Sequence, residues 1–335
     1  MPRRRTAPAG RTCSTSTSGR NDVLTIGVDV GGTKVAAGVV DKTGAILART
    51  RSETPSASPS DVEDVIAECV AELRKDHEVE AVGIGAAGFI DAERSRVLFA
   101  PNLSWRDEPL RDAVAERVGL PVVVENDANA AAWAEHRFGA GQGESHLVAV
   151  TVGTGIGGGI VVDGRLHRGR FGIGAEFGHM QMVAGGRRCG CGQSGCWEQY
   201  CSGRALLREA REIADVRRGF GDRLLELGGG RPEGIEAREV TAAAREGDAA
   251  ALECFEEIGH WLGQGLADLA AVLDPGVFVV GGGVADAGEL LLAPARRTFA
   301  ARLTGTGARP QAEIRQAALG NDAGLVGAAD LARQR

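Results

Sequence analysis

The sequence predicts an α/β protein of roughly two domains, and three observations carry that prediction. The chain has 335 residues and 43% apolar content, enough to build real cores. Short apolar runs that end in glycine alternate with helical-period stretches. One unit, strand then glycine turn then strand, occurs at residues 23–44 and again at 146–164, which suggests a duplicated fold with one glycine hairpin per half.

Taken in order, Val23–Val30 reads as a strand, Gly31-Gly32-Thr33-Lys34 as a tight turn and Val35–Val40 as a second strand, with Asp41–Gly44 turning the chain out of it. Residues Ser60–Glu72 have helical period, with Ser60 as the N-cap. Ala81–Ala86 is an apolar strand running into the loop Ala87–Asp91, and Pro101–Trp105 is irregular. A helix around Leu110–Val118 precedes the strand Pro121–Glu125. That strand ends at Asn126-Asp127, where an alanine-rich helix begins and runs through Ala134. The opening pattern then recurs as a strand His146–Val152, the glycine stretch Gly153–Gly159, a strand Ile160–Val162 and the hairpin signal Asp163-Gly164. Helices dominate up to Leu273, including one over Asp248–Leu273 stopped by Asp274-Pro275. Val277–Val280 is a strand ending in Gly281-Gly282-Gly283-Val284, and Asn321–Asp330 is a closing helix rich in small residues.

Composition excludes some function classes. The net charge of −7 argues against non-specific nucleic-acid binding, which needs basic surface. No apolar run reaches membrane-spanning length. The 50 glycines are clustered, as tight loops against a ligand would require. Seven cysteines in a chain too long to need disulfide staples, three of them close together, point to a reducing cytoplasm. Cys13, Cys69, Cys201 and Cys254 read as ordinary small residues. Residues 1–21 are basic and Ser/Thr-rich and read as a disordered tail; an organelle transit peptide has a similar composition.

The glycine loops do not match the common nucleotide motifs. Gly153-Thr154-Gly155-Ile156-Gly157-Gly158 satisfies G-x-G-x-x-G, but a strand and turn follow where a dinucleotide fold needs a helix. Gly27 and Gly32 have Walker spacing, but Thr33-Lys34 is the reverse of the required order. What remains is a pair of glycine hairpins whose backbone N–H groups suit an anion. Asp29 beside the first could hold Mg²⁺ or cap the turn. Lys34 could neutralise phosphate or stay solvated.

The segment from His179 to Glu198 packs His179, Cys189, Cys191 and Cys196 among glycines, between the carboxylates Glu176 and Glu198. Imidazole and thiolates are the ligands zinc prefers, and Cys₃His is a recognised structural set. A zinc knuckle there would fix a loop bearing polar groups, and Glu176, His179 and Glu198 suit a polyol. If one ring nitrogen of His179 binds zinc, the other can meet a substrate. Asp127, at a strand end, can accept the proton of an attacking alcohol or can cap the helix that follows; Asn126 beside it suits a sugar hydroxyl.

Together, Asp29-Val30-Gly31-Gly32-Thr33-Lys34, Glu125-Asn126-Asp127-Ala128-Asn129-Ala130, Gly153–Gly158, Glu176-Phe177-Gly178-His179, the cysteine segment Cys189–Glu198 and Gly281–Val284 resemble the ROK family (repressors, uncharacterised reading frames and sugar kinases), and within it the glucose-phosphorylating bacterial kinases. The likeness covers the chain from about Val23 to Leu331. It implies an actin-like ATPase (RNase H-like) fold with two domains around a cleft and a structural zinc loop. The smaller domain would comprise residues 22–133 with 321–335, the larger 134–320. It implies phosphorylation of D-glucose by ATP with Mg²⁺, with Asp127 as general base. Asn102, Asn126, Glu176, His179 and Glu198 would hold the sugar. His179, Cys189, Cys191 and Cys196 would bind Zn²⁺. Asp29, Gly31, Gly32, Thr33, Lys34, Gly153, Thr154 and Gly155 would surround the ATP phosphates, and Gly281, Gly282, Gly283 and Val284 would lie near the adenosine. It further implies a homodimer or homotetramer. The family's repressors carry an N-terminal winged helix-turn-helix, for which this chain has no room. Phe89 follows Gly88 where kinases for N-acetylhexosamines can carry a cation, which favours an unmodified hexose. The alternatives are a kinase for mannose, fructose or an N-acetylhexosamine, and a sugar-sensing regulator.

Overall fold

A computed structural model describes residues 23–55, 58–101 and 103–335. The basic tail 1–21 and Asn102 lie outside the described residues.

The first half runs β1 (Thr25–Val30), β2 (Lys34–Val40), β3 (Ile46–Glu53), α1 (Pro59–Leu73), β4 (Ala81–Ala86), the short strands β5 (Phe89–Ile90), β6 (Val97–Phe99) and β7 (Arg106–Glu108), α2 (Leu110–Val118), β8 (Val122–Asn126) and α3 (Asp127–Phe138). The second runs β9 (Leu147–Val152), β10 (Ile156–Val162), β11 (Arg165–His167), α4 (Gly203–Val216), α5 (Asp222–Leu227), α6 (Ala237–Arg245), α7 (Ala249–Leu273), β12 (Val277–Gly281), α8 (Glu289–Arg302), β13 (Glu313–Gln316) and α9 (Ala323–Arg333).

The two five-stranded sheets share one plan. Their orders are β3-β2-β1-β4-β8 and β11-β10-β9-β12-β13. In each, an antiparallel three-strand ribbon leads into two parallel strands. The duplication expected from the repeated hairpin is therefore present in the register. Asp29 pairs across to Gly85 in β4, and Thr151, at the matching place in β9, pairs across to Gly281 in β12. Burial on both faces explains why β1, β4, β9 and β12 read as continuous apolar runs.

Each sheet has its own core. Ile26, Val28, Ile84 and Val124 meet Ile66 and Val70 of α1 and Val114 of α2. Val148, Val150, Phe278 and Val280 meet α4 and the long helices α7 and α8. Helix α9 follows β13 of the second sheet yet returns to pack on β1 and β4 of the first. A Cβ on Gly27 would come within 1.9 Å of Leu325 O, and one on Gly83 within 1.8 Å of Ala328 O, so only glycine admits the helix this closely. The crossing segment is pinned by buried Glu135 of α3, which accepts from the N–H groups of Ala318 (3.1 Å) and Leu319 (2.8 Å). Asp330 of α9, 2% exposed, accepts from Trp133 Nε1 of α3 at 2.9 Å. Helix α3 also packs on β10, so it touches both sheets.

Local expectations were refined in three places. The N-cap of α1 is Ser58, not Ser60, because Pro59 fills the first helical turn and Ser58 Oγ accepts from Asp61 N at 3.2 Å. The cap of α3 is Asn126, whose side chain accepts from Asn129 N at 2.9 Å, so Asp127 is not needed for that role. Gly157, Gly158 and Gly159 belong to β10 and not to the turn before it. Their missing side chains make packing room: a Cβ on Gly158 would lie 2.3 Å from the Phe177 ring.

Candidate active site

The site lies where the strand ends of both sheets face α3. In the first hairpin, Gly31 N donates to Lys34 O at 3.0 Å. Thr54, just past the end of β3, holds the same turn, with its Oγ1 donating to Gly31 O at 2.8 Å. Gly32, Thr33 and Lys34 are exposed at its tip. Asp29 lies beneath, against the start of α9, where a Cβ on Gly324 would be 3.4 Å from its Oδ1. Burial raises the Asp29 carboxyl to about 6, the Asp127 charge adds to the rise, and Lys34 opposes it.

Asp127 occupies the first turn of α3, directly after β8. Asn126 Nδ2 bridges Gly88 O (3.1 Å) and Asp127 Oδ1 (3.1 Å). Burial pushes Asp127 above the usual carboxylate range, opposed by the N–H groups of Ala128 and of Asp127 itself and by Asn126. Asn126 thus has partners for both ends of its amide; its carbonyl keeps a second lone pair for a ligand.

The second hairpin closes with Gly153 N donating to Gly155 O at 3.0 Å. The N-terminus of α4 meets it, with Gly203 N donating to Gly153 O at 2.7 Å. Val284 N donates to Val152 O at 3.0 Å, which brings the Gly281–Val284 turn to the same strand end. Thr154 is exposed.

Between β11 and α4 lies the cysteine segment. Glu176 is the central residue of an inverse γ-turn (φ −74°, ψ 54°), closed by Phe177 N donating to Ala175 O at 2.8 Å. Ala175 before it has φ 72°. Desolvation raises the Glu176 carboxyl; His179 opposes, and the charges of Asp127 and Glu198 add. Trp197, fully buried, donates from Nε1 to Trp261 O at 2.8 Å and ties the segment to α7. Glu198 Oε1 accepts from the Cys189 thiol at 3.1 Å, and its Oε2 lies 2.6 Å from where a Gly155 Cβ would be.

The donor atoms of His179, Cys189, Cys191 and Cys196 all lie within 4.8 Å of one another. Cys191 and Cys196 Sγ are 3.7 Å apart, and Cys189 Sγ is 3.7 Å from His179 Nδ1. A tetrahedral zinc with bonds of about 2.3 Å to sulfur needs edges of about 3.8 Å, so the set fits structural zinc. Nδ1 is the ring nitrogen turned to the thiols, which leaves Nε2 pointing elsewhere. The remaining described cysteines, Cys69, Cys201 and Cys254, are buried and unpaired.

Sequence reasoning passed over two contributors. Glu125 is quoted in a motif but without a role, and Arg168 is not singled out at all. The two meet at 3.0 Å although 43 residues apart. An acid inside an apolar strand is the one local signal for Glu125; nothing local marks Arg168.

Comparison with known proteins bears on this geometry. The ROK family model matches residues 25–335. A glucokinase of Streptomyces coelicolor is 54% identical over 311 residues, 93% of this chain and 98% of that one. A glucokinase of Thermotoga maritima is 39% identical, covering 92% of this chain and 97% of that one. The crystal structure of a ROK family glucokinase from Streptomyces griseus in complex with glucose and AMPPNP superposes with a TM-score of 0.84 at 56% identity, covering 93% of this chain and all of that one. No helix among the described residues is long and apolar enough to cross a membrane.

Proposed function

The chain belongs to the ROK family, and from that premise we propose that it is a glucokinase, transferring the γ-phosphoryl group of ATP to the 6-hydroxyl of D-glucose. The observation that carries the reading is the place of Asp127. Its Cα lies 3.7 Å from where a Cβ on Gly85, the β4 partner of Asp29, would be, and the next residue, Ala128, lies against Gly157 of the second hairpin's strand β10, so it stands between a phosphate-side and a sugar-side set of groups.

In this reading, Asp127 Oδ accepts the proton of the 6-hydroxyl as that oxygen bonds to the γ-phosphorus and the bridging oxygen leaves with ADP. Asn126 holds Asp127 by its amide and offers its carbonyl to the sugar. Glu176, Glu198 and Nε2 of His179 accept from or donate to the other hydroxyls, and Asn102 joins them. The hairpins at Gly31–Lys34 and Gly153–Gly155, with the N-terminus of α4 behind the second, present backbone N–H groups and a helix dipole to the phosphates. Gly281–Val284 flanks the adenosine. Asp29 would hold Mg²⁺, which neutralises charge on the phosphates. His179, Cys189, Cys191 and Cys196 would hold Zn²⁺, which supplies architecture and no chemistry. With Cys189 ionised as a ligand, Glu198 Oε1 loses that thiol donor and is left to accept from a hydroxyl.

The separate cores and the return of α9 to the first sheet support two bodies, 22–133 with 321–335 and 134–320, joined through the continuous helix α3 that spans the 133/134 boundary and closing on the substrates to exclude water. A homodimer or homotetramer in the cytoplasm completes the reading. Purified protein with Mg-ATP should release ADP only when glucose is present, and a sugar panel should rank glucose first by kcat/KM. Asp127→Ala should lower kcat by about 10²–10⁴-fold. Turnover near wild type in that variant, or ADP release indifferent to sugar, would sink the proposal.

A further inference from the structure

Directly behind Asn126 and Asp127 sits a buried ionic cluster with no part in the chemistry above. The Glu125 side chain is 1% exposed. Its Oε2 is 2.9 Å from Arg94 Nε and 2.8 Å from Arg168 Nε. Its Oε1 accepts from the backbone N–H of Asn126 at 2.9 Å and from Asn129 Nδ2 at 3.2 Å. The carboxylate therefore grips the turn on which Asp127 rides.

Arg168 enters from the other half of the chain, just past β11, and its side chain is only 9% exposed. Besides Glu125, its guanidinium donates to Ala92 O at 2.9 Å and Asp91 O at 2.8 Å. Its own carbonyl accepts from Gly174 N at 2.9 Å, closing the segment that leads into Glu176. One side chain thus joins three pieces: the base-bearing turn, the 91–92 turn of the first half, and the stretch that delivers Glu176 and His179.

A buried ion pair of this kind is a weak stabiliser, because desolvation consumes most of the Coulomb gain. Its worth lies in direction. A planar guanidinium holds a carboxylate and two carbonyls at fixed angles, which an ammonium cannot do. We infer that Arg168 is a positioning residue that acts through Glu125, holding Asp127 in register with the sugar-binding segment. The inference rests on the glucokinase reading.

The test uses full-length protein with Arg168→Lys and Arg168→Gln, measuring kcat, KM for glucose and for ATP, glucose Kd by calorimetry, zinc content and Tm. In Arg168→Lys, kcat should fall roughly ten- to hundredfold, the size expected of a misplacement near 1 Å. KM for glucose should rise while KM for ATP stays within about twofold and zinc stays bound. Glu125→Gln keeps an acceptor for Asn126 and should show the same split more mildly; it also serves if the Arg168 variants do not fold. Kinetic constants within about twofold of wild type in the variants that fold, whatever their Tm, would overturn the inference, as would KM for ATP moving as far as KM for glucose. If wild type binds glucose without phosphorylating it, the glucokinase reading fails alone. Arg168 is then judged on glucose Kd: a tenfold weakening in Arg168→Lys keeps it, and unchanged binding overturns it. A wild type that binds no glucose overturns both.

Discussion

The two glycine hairpins have the same backbone plan and different chemistry. At the penultimate position of β1 stands Asp29, half-buried near Lys34 and Asp127; at the penultimate position of β9 stands Thr151. The first hairpin is closed by its own neighbours, Thr54 and the start of α9. The second leans on inserted structure: α4 caps it and Glu198 lies against Gly155. Duplication therefore supplies two similar cradles, and substitution in one and insertion in the other make them unlike. One cradle gains charge, the other gains a wall.

If the wall depends on the knuckle, Cys191→Ala is the severest test. It should lose zinc and raise KM for glucose by about ten- to hundredfold together, because ligand orientation is lost with the metal. Measured zinc content near zero with an unchanged glucose KM would separate the wall from the knuckle. A smaller effect comes from the turns themselves. Gly155→Ala drives a Cβ to 2.6 Å from Glu198 Oε2 and should raise KM for glucose about tenfold, whereas a Cβ on Gly31 meets only Lys34 O at an ordinary 3.4 Å. The Gly31→Ala effect should then fall on ATP and not on glucose; equal glucose effects in both variants would erase the distinction.

The smallest effect tests the charge of the first cradle. Asp29 has its carboxyl raised from 3.8 to about 6, so the folded protein binds this proton more tightly than the unfolded chain. Ionisation therefore costs native stability as pH rises through that window, and the cost is complete above about 6. Asp29→Asn should raise Tm by a few degrees at pH 7.5, with the gain disappearing near pH 4. No gain at pH 7.5 would mean that the site tolerates the buried charge without strain.

Much of this was legible because it is local. The α2 span matches its apolar period, α7 ends at Asp274 as the Asp-Pro step requires, and the Cys₃His spacing announces its metal. Failures also have local causes: Pro59 moved a cap by two residues, and glycines that look like a loop proved to be strand positions facing Phe177 and α3.

By itself, then, the sequence determined the strands of strong apolar run, the best-capped helices, the two glycine turns and the ligand set, since capping, periodicity and ligand chemistry act over a few residues; the edge and short strands β3, β5–β7, β11 and β13 and the helix α8 are not read from it. Only the tertiary structure decided what depends on distant partners. The pairing of Asp29 with Thr151 as equivalent positions needed sheet register. The return of α9 to β1 and β4 needed glycines about 300 and 240 residues earlier to accept it. The environment of Asp127 needed burial and the hydrogen bonds around it. The grip of Arg168 on Glu125 needed both halves folded, because no short-range rule brings an arginine after one hairpin to a carboxylate in another sheet.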